Sequence, residues 1–215
     1  MFFQYGETEC AVLRKKDRLL GLVIDHVGQI ERPVNPDLFS ALMDSITGQQ
    51  ISTKAHKTVW HRMCELLGEI TPERVAACDQ ETLQQCGISM RKAGYLKSVA
   101  DEVHSGRFDL AALQELADEA VCHALCSLSG VGRWTAEMLM IFSMQRPDVI
   151  SYGDLAIRRG LCLLYGHREL TPAQFERYRR RYSPHASVAG LFLWALAGDE
   201  YPELPELLAD ARRKK

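Results

Sequence analysis

Two glycines flank a valine in "LSGVGRWTAEM", residues 128–138, and a tryptophan follows two positions after the second glycine. Gly130 and Gly132 permit positive φ and let another chain approach the backbone closely. A helix starting just after them directs its unpaired N–H groups and the positive end of its dipole outward. That combination binds anions. A DNA phosphate fits it without a strongly basic surface, because backbone donors carry no formal charge. The same residues also build a tight turn between two helices with no ligand at all. Asp154, ahead of "LAIRRGLCLLYG", is a second point of interest. It suits the N-cap of a helix, where N–H groups hold a carboxylate ionised. Trp134 and Trp194 are either core aromatics or walls of a ligand site. Gln49 and Gln50 stand at a helix break after Gly48, and Arg177, Arg179, Arg180 and Arg181 form a run whose ordinary reading is a solvated face.

Helical patterns position all of these residues. "NPDLFSALMDSI" offers Asn35 as N-cap, Pro36 as first helical residue, and Leu38, Leu42 and Ile46 at spacings of four. Ala55, Val59, Met63, Leu66 and Leu67 form the next apolar face, stopped by Gly68. Thr71 and Asp79 start short capped helices, the second ending at Gly87. Leu96, Val99, Ala100 and Val103 share one face of "RKAGYLKSVADEVHSG", and Leu110, Leu113 and Leu116 share a face of "FDLAALQELAD". Asp118 caps a helix running to Cys126, and another runs from Arg133 to about Met144. The Asp154 helix ends at Gly166, Thr171, Pro172 and Gln174 form a capping box, and "SPHASVAGLFLWALAG" closes the core. Only the short "DVIS" has strand character, so the fold class is all-α.

With 215 residues and 47% apolar composition, the chain can bury one sizeable core or two lobes that share one. Its seven cysteines, odd in number and scattered through apolar helical patterns, suit buried hydrophobes in a reducing compartment. With neither a leader pattern nor a long apolar run, they imply a cytoplasmic protein away from membranes. The net charge of −2 does not announce a nucleic-acid binder, so any such role rests on local sites.

The hairpin, followed about twenty residues later by the aspartate of "DVISYGDLAIRRG", resembles the helix-hairpin-helix DNA glycosylase superfamily and its DNA-3-methyladenine glycosylase II branch. "SITGQQISTKA", "LTPAQFERY", "YSP" and "LFLW" extend the similarity over about residues 35 to 198. The resemblance implies two helical lobes, 36–146 with the hairpin and 1–35 plus 147–215 with the aspartate, and a DNA-binding cleft between them. It implies Asp154 as the catalytic carboxylate, and Trp134, Met138, Leu155 and Trp194 around the flipped base. DNA contacts would come from Gln49, Gln50, Gly130, Val131, Gly132, Arg133 and Thr135, one of the two glutamines filling the gap left by the extruded nucleotide. Backbone carbonyls of Cys126, Leu128 and Val131 would hold a sodium or potassium ion. No other cofactor is expected, and the cysteine spacing excludes the iron–sulfur cluster of some relatives. The implied protein is a monomer acting on double-stranded DNA with a damaged base, at the nucleoid in a bacterium or in the nucleus of a eukaryote. It would be a monofunctional hydrolase of alkylated purines. The competing readings are a bifunctional glycosylase/lyase for oxidised bases and a non-catalytic helix-hairpin-helix DNA-binding module.

Overall fold

The computed structural model describes residues 1–213, which contain thirteen α-helices and one 3-10 turn. The first segment forms α1 (Glu7–Lys16) and α2 (Arg18–Val27). Residues 35–144 form α3 (Leu38–Gly48), α4 (Thr53–Leu67), α5 (Pro72–Ala77), α6 (Gln80–Gln84), α7 (Met90–His104), α8 (Asp118–Cys126) and α9 (Arg133–Phe142). The chain then continues through α10 (Leu155–Tyr165), α11 (Pro172–Tyr182), α12 (Ala186–Ala197) and α13 (Leu204–Arg213). Two compact units result: residues 35–144, and residues 1–34 with the segment from 145 onward.

Capping chemistry explains most boundaries. The side chains of Thr71, Asp79 and Asp154 accept from backbone N–H groups three residues on, and Thr171 and Gln174 form a reciprocal capping box. Gly68 and Gly166 end α4 and α10 with φ of +67° and +72°. Four expectations are corrected. Asp37, not Asn35, caps α3; Asn35 instead accepts from the Asp37 N–H, which leaves Pro36 before the helix. The expected helix through Leu110, Leu113 and Leu116 is one 3-10 turn, Ala111–Glu115, which buries Leu113 and leaves Leu116 exposed. A five-residue turn cannot align an apolar face at 3.6-residue spacing. Asp118 lies inside the first turn of α8, and Ala117 occupies the cap position. Residues 148–151 form no strand; the isolated β-bridge is Phe2 with Pro33.

In the 35–144 unit, α7 packs on α3, α5 and α6 through Ala93, Leu96, Val99 and Ala100. Leu42, Met43 and Ile46 of α3 and Met63 of α4 are fully buried beside the same core. Each such side chain contributes on the order of 1.5–3 kcal/mol of burial free energy. In the other unit, α12 is apolar all round and buries ten of its twelve residues, as a helix enclosed by others must. It packs against α1, α2, α10 and α11. Asp17 ties this unit together. It caps α2 through the N–H groups of Leu19 and Leu20, and also accepts from Arg181 Nη1 at 2.6 Å and from the Tyr165 hydroxyl. Burial beside Asp17 pushes the Tyr165 and Tyr182 phenols far up, so both stay neutral donors.

Gly160 sits where α10 meets α12. A Cβ there would lie 2.5 Å from the Leu193 carbonyl oxygen, which is backbone and cannot swing away. Gly160→Ala is therefore expected to cost about 1–3 kcal/mol, a melting temperature several degrees lower by calorimetry. An unchanged melting temperature would show that the two helices separate freely.

Candidate functional site

The residues singled out by sequence fall in both units. In residues 35–144, α8 ends at Cys126 and the backbone turns through Ser127–Gly132 into α9. The Val131 N–H donates to the Leu128 carbonyl at 3.1 Å, and Val131 and Leu128 are buried. The two glycines do different work. Gly130 has φ of +81°, and a Cβ on it would fall 2.5 Å from the Tyr95 ring. Gly132 is extended and exposed, with nothing within 4 Å of the position of its Cβ. It occupies the N-cap of α9 without a capping side chain, so the helix opens onto free space at a bare backbone.

Arg133 does not present a free cation beside this opening. Its guanidinium makes a two-pronged pair with Glu119 at 3.0 and 3.1 Å and bonds Glu137, whose side chain is buried, at 2.9 Å. The Glu119 hydrogen bond holds its pKa above the ordinary arginine value. Thr135 is buried. What these two positions offer is backbone N–H in the first turn of α9. Trp134 is 47% exposed and Met138, one turn on, is half-buried, so the two form one apolar strip on the surface of α9.

The two glutamines also separate. Gln49 is half-buried, and its amide donates to the Gly130 carbonyl at 2.9 Å, which ties it to the hairpin. Gln50 is exposed and held at φ of +57°, a left-handed conformation uncommon for a residue with a side chain. Lys92 of α7 reaches the same loop and donates to the carbonyls of Thr47 at 2.8 Å and Gln49 at 2.5 Å. Sequence reasoning passed over Lys92, since a partner more than forty residues away leaves no local signal. Glu137 was passed over as well, although its place four residues after Arg133 on one helix is a local signal that could have found it.

In the other unit, Asp154 is buried at the N-cap of α10. Its Oδ1 accepts from the Ile157 N–H at 2.9 Å and from the Trp194 indole Nε1 at 3.3 Å. The carboxylate therefore spans two helices, and Trp194 is oriented by it. Leu155, the next residue, is 72% exposed, a large apolar side chain held out of the core directly beside a buried acid. Trp194 further borders a cavity of about 450 Å³ with Arg32, Leu191, Asp199 and Tyr201. The arginine run is for the most part the solvated face expected of it, with Arg177 and Arg180 exposed and Arg181 the exception. Arg179 pairs with Glu176, Arg177 lies over the Tyr178 ring and Arg181 is anchored on Asp17, while Arg180 extends into solvent.

Among the described residues no cluster of three or more His, Cys, Asp or Glu side chains is placed to hold a metal ion. Cys126 ends α8 at the negative end of its dipole, and Leu128 and Val131 follow in the turn that leads to α9. Their carbonyls, as neutral oxygen donors, fit a hard monovalent cation. All seven cysteines are unbridged, and burial pushes the Cys122 thiol up to about 11, which marks an inert hydrophobe.

Residues 43–185 match the profile described as HhH-GPD superfamily base excision DNA repair protein. DNA-3-methyladenine glycosylase 1 of Schizosaccharomyces pombe is 32% identical over 161 residues, covering 73% of this chain and 71% of the relative. The crystal structure of DNA-3-methyladenine glycosidase from Bacillus halodurans superposes with a TM-score of 0.84 at 35% identity, over 97% of this chain and 98% of that one. The S. pombe 3-methyladenine DNA glycosylase Mag1, in complex with abasic DNA, superposes with a TM-score of 0.76 at 29% identity, over 87% and 95%.

The unequal roles of the two glycines are testable by urea unfolding. Gly130→Ala must place a Cβ in the Tyr95 ring at positive φ, and is expected to lose about 1–3 kcal/mol. Gly132→Ser meets open space and gains a capping hydroxyl, so its stability should stay within about 0.5 kcal/mol of the parent. Equal losses would show that both glycines serve the fold alone.

Proposed function

Because the chain belongs to the HhH-GPD superfamily of base excision DNA repair proteins, we propose that it is a monofunctional DNA glycosylase. It hydrolyses the N-glycosidic bond of alkylated purines, of the 3-methyladenine and 7-methylguanine type, in double-stranded DNA. The relatives at 32% and 35% identity bear the names of 3-methyladenine enzymes, which favours this substrate class. The observation that carries the reading is the buried Asp154 carboxylate, held at the head of α10 by a backbone N–H and the Trp194 indole.

An N3- or N7-alkylated purine already bears a positive charge that weakens its bond to C1′. When that bond breaks, its electron pair stays with the base, which leaves neutral without a strong general acid. The demand falls on the sugar, which acquires oxocarbenium character. A carboxylate within a few ångströms of the sugar, shielded from water, stabilises this charge far more than the ground state, in which the sugar is neutral and the positive charge lies on the base. Water then adds its oxygen to C1′ and gives up a proton, for which Asp154 is a suitable acceptor, leaving an abasic site and free base. Trp134 and Trp194 offer electron-rich faces to the cationic base, and Met138 and Leu155 add apolar surface. Gly132 and the first turn of α9 take the DNA phosphate through N–H groups, with a sodium or potassium ion on the Cys126, Leu128 and Val131 carbonyls supporting the turn. Of the two glutamines, exposed Gln50 is the better wedge, since the Gln49 amide is already engaged. The chemistry asks for no redox or metal cofactor, and the protein works as a monomer wherever the genome lies. Among the described residues no helix is long and apolar enough to cross a membrane.

Asp154→Asn retains a capping side chain and removes the charge. Single-turnover release of 7-methylguanine is expected to fall about 10²–10⁴-fold while binding to abasic duplex survives. A rate within threefold of the parent would return Asp154 to a purely structural role. A lyase would instead use a lysine, which in bifunctional members falls two residues after the second hairpin glycine, where this chain has Trp134. Borohydride is accordingly expected to trap no covalent protein–DNA adduct at the rate of base release. Efficient trapping would favour the bifunctional reading.

A further inference from the structure

We infer that Lys92 is a positioning residue, and that α7 acts through it as a ruler that sets the spacing between the wedge loop and the phosphate-binding hairpin. The inference rests on the proposed role of Gln50 as wedge and adds the element that aims it.

Three side chains at spacings of three along α7 touch the two functional loops. Lys92 holds the carbonyls of Thr47 and Gln49, the Tyr95 ring lies under Gly130, and Ser98 Oγ bonds Ser129 Oγ at 3.2 Å. One face of one helix thus touches the end of α3 and then the hairpin, over roughly 9 Å of helical rise. The Gln49 amide closes the figure by donating to the Gly130 carbonyl at 2.9 Å, so the two loops are also bonded directly to each other.

The ammonium of Lys92 is an expensive way to satisfy two carbonyls. A helix C-terminus leaves carbonyls that water can serve. Lys92 is half-buried, and its hydrogen-bond partners are neutral oxygens, with no carboxylate to offset the lost hydration. Burial accordingly lowers its pKa. What the contact provides is a fixed loop: the chain leaves α3, turns through Gln50 at φ of +57° and enters α4 at Thr53. Extrusion of a nucleotide needs a wedge that pushes while the backbone is clamped, and a wedge that drifts relative to the clamp loses that leverage.

The experiment uses the full chain carrying Lys92→Met. It compares hydrogen exchange of residues 47–51 without DNA, melting temperature, and single-turnover release of 7-methylguanine from two duplexes, one with the lesion paired to cytosine and one with it in a mismatch. The expected result is faster exchange confined to residues 47–51. Release from the paired duplex should fall about tenfold or more and recover largely in the mismatch, where extrusion is cheaper. Lys92→Arg, which keeps a cation able to reach both carbonyls, should restore part of the loss. Should Lys92→Met unfold, Gln49→Glu tests the other tie, because a carboxylate cannot donate to the Gly130 carbonyl. Unchanged exchange at 47–51, or an equal loss of release on both duplexes, overturns the inference. So does accelerated exchange spread through the whole unit. The exchange measurement needs no substrate, so a parent protein that releases no modified base counts against the proposed function, while exchange at 47–51 still decides the role of Lys92.

Discussion

The geometry at Asp154 depends on how closely two helix backbones approach. At Gly160 the absence of a side chain lets α10 lie against the Leu193 carbonyl of α12. Trp194 is the next residue on α12, and Asp154 lies six residues before Gly160, roughly 9 Å along α10. The close packing of α10 on α12 brings the indole Nε1 to 3.3 Å from the carboxylate. An ångström of extra separation would carry the pair out of hydrogen-bonding range. The enclosed position of α12 among four helices then prevents it from shifting to compensate.

Several of the arginines are paired within the chain. The arginines that look most available for a polyanion are committed: Arg133 to Glu119 and Glu137, Arg179 to Glu176, and Arg181 to the buried Asp17. What remains at the hairpin is a helix start with a bare glycine in front of it, so under the proposed function oriented peptide dipoles take the place of fixed cations. This reconciles a net charge of −2 with a nucleic-acid partner. It also implies a shallower salt dependence of binding than a lysine-rich surface would give.

The parts legible in the sequence are those decided within a turn or two of chain. Thr71, Asp79, Asp154 and the Thr171–Gln174 box act on N–H groups three residues away, and Gly68 and Gly166 act where they stand. Asn35 and Asp37 show the limit of local reading, because both can cap and only the path of the chain into α3 chooses between them. The candidate site divides the same way. Asp154 at a helix start and Gly132 before a helix could be read from neighbours, whereas Lys92, the tether on Gln49 and the ring beneath Gly130 join segments distant in the chain. Within the arginine run Arg181 alone escapes a local reading, since the buried acid that claims it lies 164 residues earlier.

A helix cap draws no distinction between aspartate and asparagine. At the head of α10 the capping requirement therefore exerts almost no selection for the acid, and under the proposed function its charge is what preserves it. The codons of the two amino acids differ at one base, through the G-to-A change that cytosine deamination on the opposite strand produces. Under the proposed function, a lineage released from the need for catalysis would thus drift easily into an intact protein that still binds abasic sites while releasing modified bases far more slowly. Such a protein would shield lesions from repair, a dominant effect that an unfolded product could not exert.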